Sequence, residues 1–274
     1  MSAGRGGGGA GAAVSAATGK PPAAAMDEVV AVAAGARHVA AGAPGWLAAD
    51  AGRACPLVGG RPTVVRRVPL GVVTILAPYN FPLWLALSNT LAALAAGNAV
   101  MVKVSEAVPA VGVLLAELLA ACAGGRLAPL VRVFHGAADV GAALVDAAVG
   151  KPDHVLFVGS VAVGRKVAVA AAAGGVGCTL ELGGKDAAIV CADADVPSAV
   201  MAVAAGAFYH AGQCCVGVER VFVDAAVYDE FVAAMVKHVK ENVWSGARLV
   251  CFSYCCPTAR AVSTLCLCLV FLVP

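Results

Sequence analysis

At 274 residues, 61% apolar and only 13% charged, with a formal net charge of +2, the chain can bury a substantial core. It is too weakly basic for a nucleic-acid binder and shows no basic stripe interleaved with aromatics, so small molecules are the expected partners. Its apolar excess is alanine and valine interrupted by glycine, proline and charge, and the cleanest stretch, residues 83–96, is too short to span a bilayer.

Residues 1–26 are Gly/Ala/Ser-rich with two basic residues and no acid before Asp27, and read as a disordered leader or a targeting peptide. From Asp27 to Ala51 an early Asp-Glu and the spacing of Val29, Val30, Val32 and Ala33 predict a helix, ended by Gly42–Pro44. A β-branched run follows, Pro69–Ala77, stopped by Pro78, then a helix over 83–96 terminated by Gly97. Strand 99–104 and helix 110–122 repeat the unit, as do strand 130–134 with a helix near 139–149, and strand 154–158 with a helix near 161–173. Further strands are expected at Cys178–Leu180 and Arg220–Val223. Nearly continuous apolar strands alternating with helices indicate an α/β fold: a doubly wound parallel sheet covered on both faces.

In such sheets ligands bind beyond the carboxyl ends of the strands, where this chain's polar residues fall. Pro78-Tyr-Asn-Phe-Pro82 pins a turn; Asn80 either donates its amide to a developing oxyanion or simply bonds its own turn. Lys103-Val-Ser-Glu106 either holds ribose hydroxyls or forms an exposed ion pair, and its carboxylate would repel a 2′-phosphate, favouring NAD over NADP. Gly159-Ser-Val-Ala-Val-Gly164 opens a helix, whose free N–H groups can face a phosphate or whose glycines only let strand and helix pack. Glu181, before Gly183-Gly184, can activate water or be an acid satisfied by neighbouring amides. The Cys214-Cys215 pair, between an apolar helix and a strand, offers a nucleophilic thiol or two small buried hydrophobes.

Eleven cysteines would suggest disulfides in a secreted chain, but Cys251, Cys255, Cys256, Cys266 and Cys268 crowd the end and the rest are scattered without metal-ligand spacing. No metal site is expected, and a reducing compartment suits a free thiol.

The order of these motifs resembles the NAD(P)-dependent aldehyde dehydrogenase superfamily from about Val65 to Val243. The Pro-Tyr-Asn-Phe-Pro turn, Gly97-Asn-Ala-Val-Met-Val-Lys103, Phe157-Val-Gly-Ser160, Glu181-Leu-Gly-Gly-Lys185 and Gly212-Gln-Cys-Cys215 carry the likeness, as do the Asn80–Lys103 and Glu181–Cys215 intervals. The resemblance implies oxidation of an aldehyde to a carboxylic acid through a covalent intermediate on Cys215. Asn80 and the Cys215 N–H would hold the oxyanion, and Glu181 would activate water. It also implies a cofactor, NAD or NADP, bound by Tyr79, Lys103, Ser105, Glu106, Gly159, Ser160 and Gly164.

By this reading residues 27–185 form the NAD-binding domain with its N-terminal helix, and 186–243 begin a catalytic domain that is incomplete. The full-length form is expected to be a homo-oligomer, cytoplasmic, or organellar if the leader is a transit peptide. Residues 244–274, Cys-rich and apolar toward the end, read as foreign sequence, with a membrane-associating tail as the alternative. A catalytically incomplete nucleotide-binding fragment is the alternative function.

Overall fold

The computed structural model describes residues 6–52, 57, 59–242 and 270–273. The chain divides between Leu182 and Gly183 into two compact units.

The first unit is built around five parallel strands: β3 (Val72–Leu76), β4 (Ala99–Lys103), β5 (Val131–Phe134), β6 (His154–Gly159) and β7 (Gly177–Leu182). Their order across the sheet is β5-β4-β3-β6-β7. The chain first winds outward from β3 to β5, then returns to lay β6 on the other side of β3, which makes the β3/β6 boundary the switch point of the sheet. Alternation along each strand feeds two cores. Val73, Ile75, Val100, Val102 and Val104 join one cluster with helices α3 (Pro82–Ala95) and α4 (Pro109–Ala121). Leu76, Val155 and Phe157 join another with α5 (Ala138–Val145) and α6 (Val161–Ala173). Burial on both faces is why the central strands lack a polar alternation, whereas β7, at the sheet's edge, alternates and keeps one face exposed. Gly97, with φ +87°, turns the chain out of α3, and Asn98 Oδ1 then accepts the Leu70 and Gly71 N–H groups at 2.7 and 3.0 Å.

The expectation of a disordered leader over 1–26 is corrected from Gly6 onward. Helix α1 (Gly6–Thr18) packs on α2 (Pro22–Trp46) and on α4, with Val14 fully buried in the first core cluster. Its glycines make it a poor helix alone; the Ala10/Val14 ridge, one turn apart, is what the tertiary packing rewards. Gly19, φ +73°, ends it. Helix α2 starts earlier than expected because Pro22 occupies its first turn, where a missing N–H costs nothing, and it runs through Pro44 to Trp46. Helix α5 stops four residues short of the expected 149: Asp146 Oδ1 accepts the Ala148 and Val149 N–H groups at 2.7 and 3.1 Å, a local turn that competes with the helix. A short antiparallel pair, β1 (Asp50–Ala51) and β2 (Val64–Val65), precedes β3.

The second unit has β8 (Asp186–Val190), α7 (Val196–Phe208), β9 (Val218–Asp224) and α8 (Tyr228–Asn242). β9 lies parallel between β8 and β10 (Val270–Val273). Val190, Val200, Val203, Val223, Phe231 and Met235 form its core. Apart from β10, the tail expected to be foreign lies outside the described residues. Among the described residues no helix is long and apolar enough to cross a membrane.

Candidate active site

Strands β3, β4 and β5 end level, and β6 and β7 run two residues further, to Gly159 and Leu182. Leu76 pairs with Lys103 and Phe157, Lys103 with Phe134, and Phe157 with Leu180. The sheet thus brings Tyr79, Asn80, Lys103, Ser105, Glu106, Gly159 and Ser160 to one carboxyl edge, with Glu181 at the end of its outer strand.

Lys103 is a cation inside an apolar strand, and it is buried to within a few per cent. Its Nζ donates to Glu106 Oε2 at 3.0 Å and to the Val104 carbonyl at 3.2 Å. The Glu106 carboxyl is held below its usual range by its own backbone N–H and then by Lys103. Its side chain is 58% exposed, so the pair contributes under ~1 kcal/mol to folding. The carboxylate is turned to solvent, while Ser105 Oγ accepts the Ala107 N–H at 3.3 Å and shapes the turn.

After β6, Ser160 caps α6, its Oγ accepting the Val163 N–H at 3.4 Å. The remaining first-turn N–H groups of such a helix have no intrahelical acceptor. Gly164 lies further in, and a Cβ there would come 2.5 Å from Leu182 Cδ2. Its geometry is explained by close packing of α6 on β7.

After β3, Asn80 is half-buried and its Oδ1 accepts the Phe81 N–H at 3.1 Å, while the Tyr79 ring packs against the first core cluster. Helix α3 begins at Pro82 with no cap from its own flank, Phe81. The cap comes from α2 instead: Glu28 Oε2 accepts the Leu83 and Trp84 N–H groups, each at 3.0 Å. Glu28 Oε1 pairs with Lys20 Nζ, both side chains being buried, and Lys20 Nζ stands 4.2 Å above the Phe81 ring. Sequence reasoning missed this cluster, reading Glu28 only as an early helical acid and Lys20 as part of the low-complexity leader.

Glu181 projects from the exposed face of β7. Two residues before it on that face, Thr179 Oγ1 lies 2.9 Å from His154 Nε2.

Cys215 belongs to the second unit. Helix α7 passes into one helical turn, Tyr209–Gly212, in which His210, Ala211 and Gly212 take φ of 51°, 59° and 75°. The His210 carbonyl accepts the Gln213 N–H at 3.1 Å and Gln213 Nε2 at 3.3 Å, and the Gly217 N–H donates to Cys214 O at 3.0 Å. The thiols are therefore presented by a bonded turn leading into β9. Cys214 is half-buried and Cys215 exposed. The Cys215 thiol is pushed up, first by partial desolvation of the sulfur and then by Cys214, with Asp186 adding to it. The N–H groups of Cys215 and Val216 oppose that rise. Among the described residues no group of three His, Cys, Asp or Glu could hold a metal ion.

The profile of the aldehyde dehydrogenase family matches residues 11–247, so the family's span takes in α1 from Gly11 onward. The chain is 41% identical to vanillin dehydrogenase of Corynebacterium glutamicum over 68% of its own length and 38% of that protein's. It is 36% identical to aldehyde dehydrogenase 1A1 of Homo sapiens over 73% of its own length and 39% of the relative's. Among solved structures, the NAD-dependent aldehyde dehydrogenase from Sinorhizobium meliloti superposes with a TM-score of 0.77 at 31% identity, covering 86% of this chain and 46% of that one. An NADP-dependent enzyme of E. coli matches with a TM-score of 0.77 at 28% identity, over 85% of this chain and 47% of its own. The chain thus spans about two-fifths of the length of the curated relatives it matches. Profile, relatives and fold agree: the chain belongs to the aldehyde dehydrogenase family.

Proposed function

We propose that this chain binds a nicotinamide dinucleotide at the carboxyl edge of its five-stranded sheet and carries the thiol of an enzyme that oxidises an aldehyde to a carboxylic acid. The observation that carries this reading is the carboxyl edge of the sheet, where the Lys103–Glu106 pair and the N-terminus of α6 follow the strands on the two sides of β3. These residues fit the group. The first-turn N–H groups after Gly159 and Ser160 suit a pyrophosphate, and the solvent-turned Glu106 carboxylate suits ribose hydroxyls. That carboxylate would repel a 2′-phosphate, which favours NAD over NADP.

In the proposed reaction the Cys215 thiolate adds to the aldehyde carbon, and the Asn80 amide and Cys215 N–H donate to the oxyanion of the resulting thiohemiacetal. The cofactor, when bound, supplies the hydride acceptor that turns this adduct into a thioester. Glu181 takes a proton from water, the water oxygen attacks the thioester carbonyl, and the acid leaves as the thiolate is restored.

A second reading, nucleotide binding without turnover, rests on the same carboxyl edge, whose Lys103–Glu106 pair and α6 N-terminus do not require the thiol. One experiment separates the two. The purified chain is mixed with NAD and a panel of aldehydes, and binding is followed by calorimetry and turnover by the reduced cofactor's absorbance. Turnover abolished by Cys215→Ala supports the first reading, and binding without turnover the second. Absence of binding refutes both.

A further inference from the structure

We infer that Lys20 and Glu28 are positioning residues: a buried ion pair that holds the Asn80 turn in place by capping α3 from a distance. Two buried charges are costly unless every contact is made, and here the contacts converge on one segment. Glu28 Oε2 takes the N–H groups of Leu83 and Trp84, the orphan donors at the start of α3. Glu28 Oε1 takes the ammonium of Lys20. Lys20 in turn lies against the face of Phe81, 4.2 Å from its centre, and the Phe81 N–H is the donor that fixes the Asn80 carboxamide at 3.1 Å. From the pair to Asn80 the path is therefore one side chain and one hydrogen bond long.

The pair is itself anchored. Ser15 Oγ donates to the Lys20 carbonyl at 2.6 Å, and the Lys20 N–H reaches Thr18 Oγ1 at 3.4 Å. Gly19 in the left-handed region makes the tight turn that presents Lys20 between α1 and α2. Phe81 also meets Trp84 edge-on at 5.8 Å, at the first turn of α3. The pair thus directs Glu28 Oε2 and the Lys20 ammonium at residues 81, 83 and 84, the segment that follows Asn80. The catalytic consequence rests on the oxyanion role proposed for Asn80; the positioning itself does not.

The test uses the full chain with Glu28→Gln, Lys20→Met and the double substitution, which removes both charges and keeps an acceptor for α3. Hydrogen exchange is read by mass spectrometry on peptides covering 79–85 and on β4. Exchange at 79–85 is expected to rise roughly tenfold or more in Glu28→Gln, with β4 unchanged and with the double variant partly restored. Exchange unchanged at 79–85, or raised equally across β4, overturns the inference. Where aldehyde turnover is measurable, Glu28→Gln lowers kcat by roughly 10- to 100-fold with little change in KM, as expected for a misplaced oxyanion donor. That loss disappears in an Asn80→Ala background; additive losses overturn the coupling. If Asn80→Ala leaves turnover intact, the oxyanion role fails, and the exchange result still decides the positioning.

Discussion

Replacing Val14 by alanine tests whether the glycine-rich helix at the start of the chain is part of the fold. Val14 has no exposed surface and sits in the cluster that contains Val111 and Leu115 of α4. The change removes two methyl groups, about 1.6 kcal/mol at ~0.8 kcal/mol each. A residual void of ~40 Å³ adds about 1 kcal/mol at ~24 cal/mol per Å³. The expected loss is therefore about 2–3 kcal/mol, read as a lowered urea midpoint with an unchanged m-value. Thermal unfolding of the same variant falls by roughly 5–10 °C. Val30→Ala is the control: that side chain, on α2, is 60% exposed, and its removal shifts stability by less than ~0.5 kcal/mol. Equal effects at the two positions, or none at Val14, would refute the packing of α1 and restore the view of the leader as unstructured.

The Cys215 thiol, raised by desolvation and by Cys214, is expected to react with iodoacetamide more slowly at neutral pH than the exposed Cys191, its rate still climbing above the ordinary thiol range of about 8.5. Asp186→Asn removes one of the charges that disfavour the thiolate and speeds the reaction at a fixed pH; an unchanged pH–rate curve, followed by peptide mass mapping, would contradict this. Ala211, exposed at φ 59°, occupies a region that costs a non-glycine residue roughly 1–2 kcal/mol, so Ala211→Gly stabilises the second unit by about 1 kcal/mol in chemical denaturation.

The parallel sheet was legible because strands such as β3 and β4 are short, β-branched runs bounded by residues that interrupt regular structure: Pro78 after β3, Gly97 before β4. The helices covering it announced themselves by length and by their own terminators. What stayed hidden were decisions made by partners remote in sequence. Nothing local to Gly6–Thr18 signals a helix, since its stability comes from α2 and α4. Nothing near Pro82 signals its cap, since the carboxylate is Glu28. The early end of α5 was written in the sequence as Asp146, yet it reads as an exposed acid until its two hydrogen bonds are seen. In the site, motif order placed the cofactor-side residues on strand ends, but it could not separate packing from binding. Gly164, whose missing Cβ makes room for Leu182, is the case in point.

The docking of α1 on α4 has a consequence for synthesis. The first helix leaves the ribosome ahead of the residues that hold it, since α4 begins roughly ninety positions later, on the order of ten seconds at ~5–20 residues per second. A strongly apolar helix would spend that interval looking for other company. A run of glycine and alanine, too weak to stay helical alone, has only α2 to pack on until Val111 and Leu115 arrive to receive Val14. Its low complexity is thus suited to waiting.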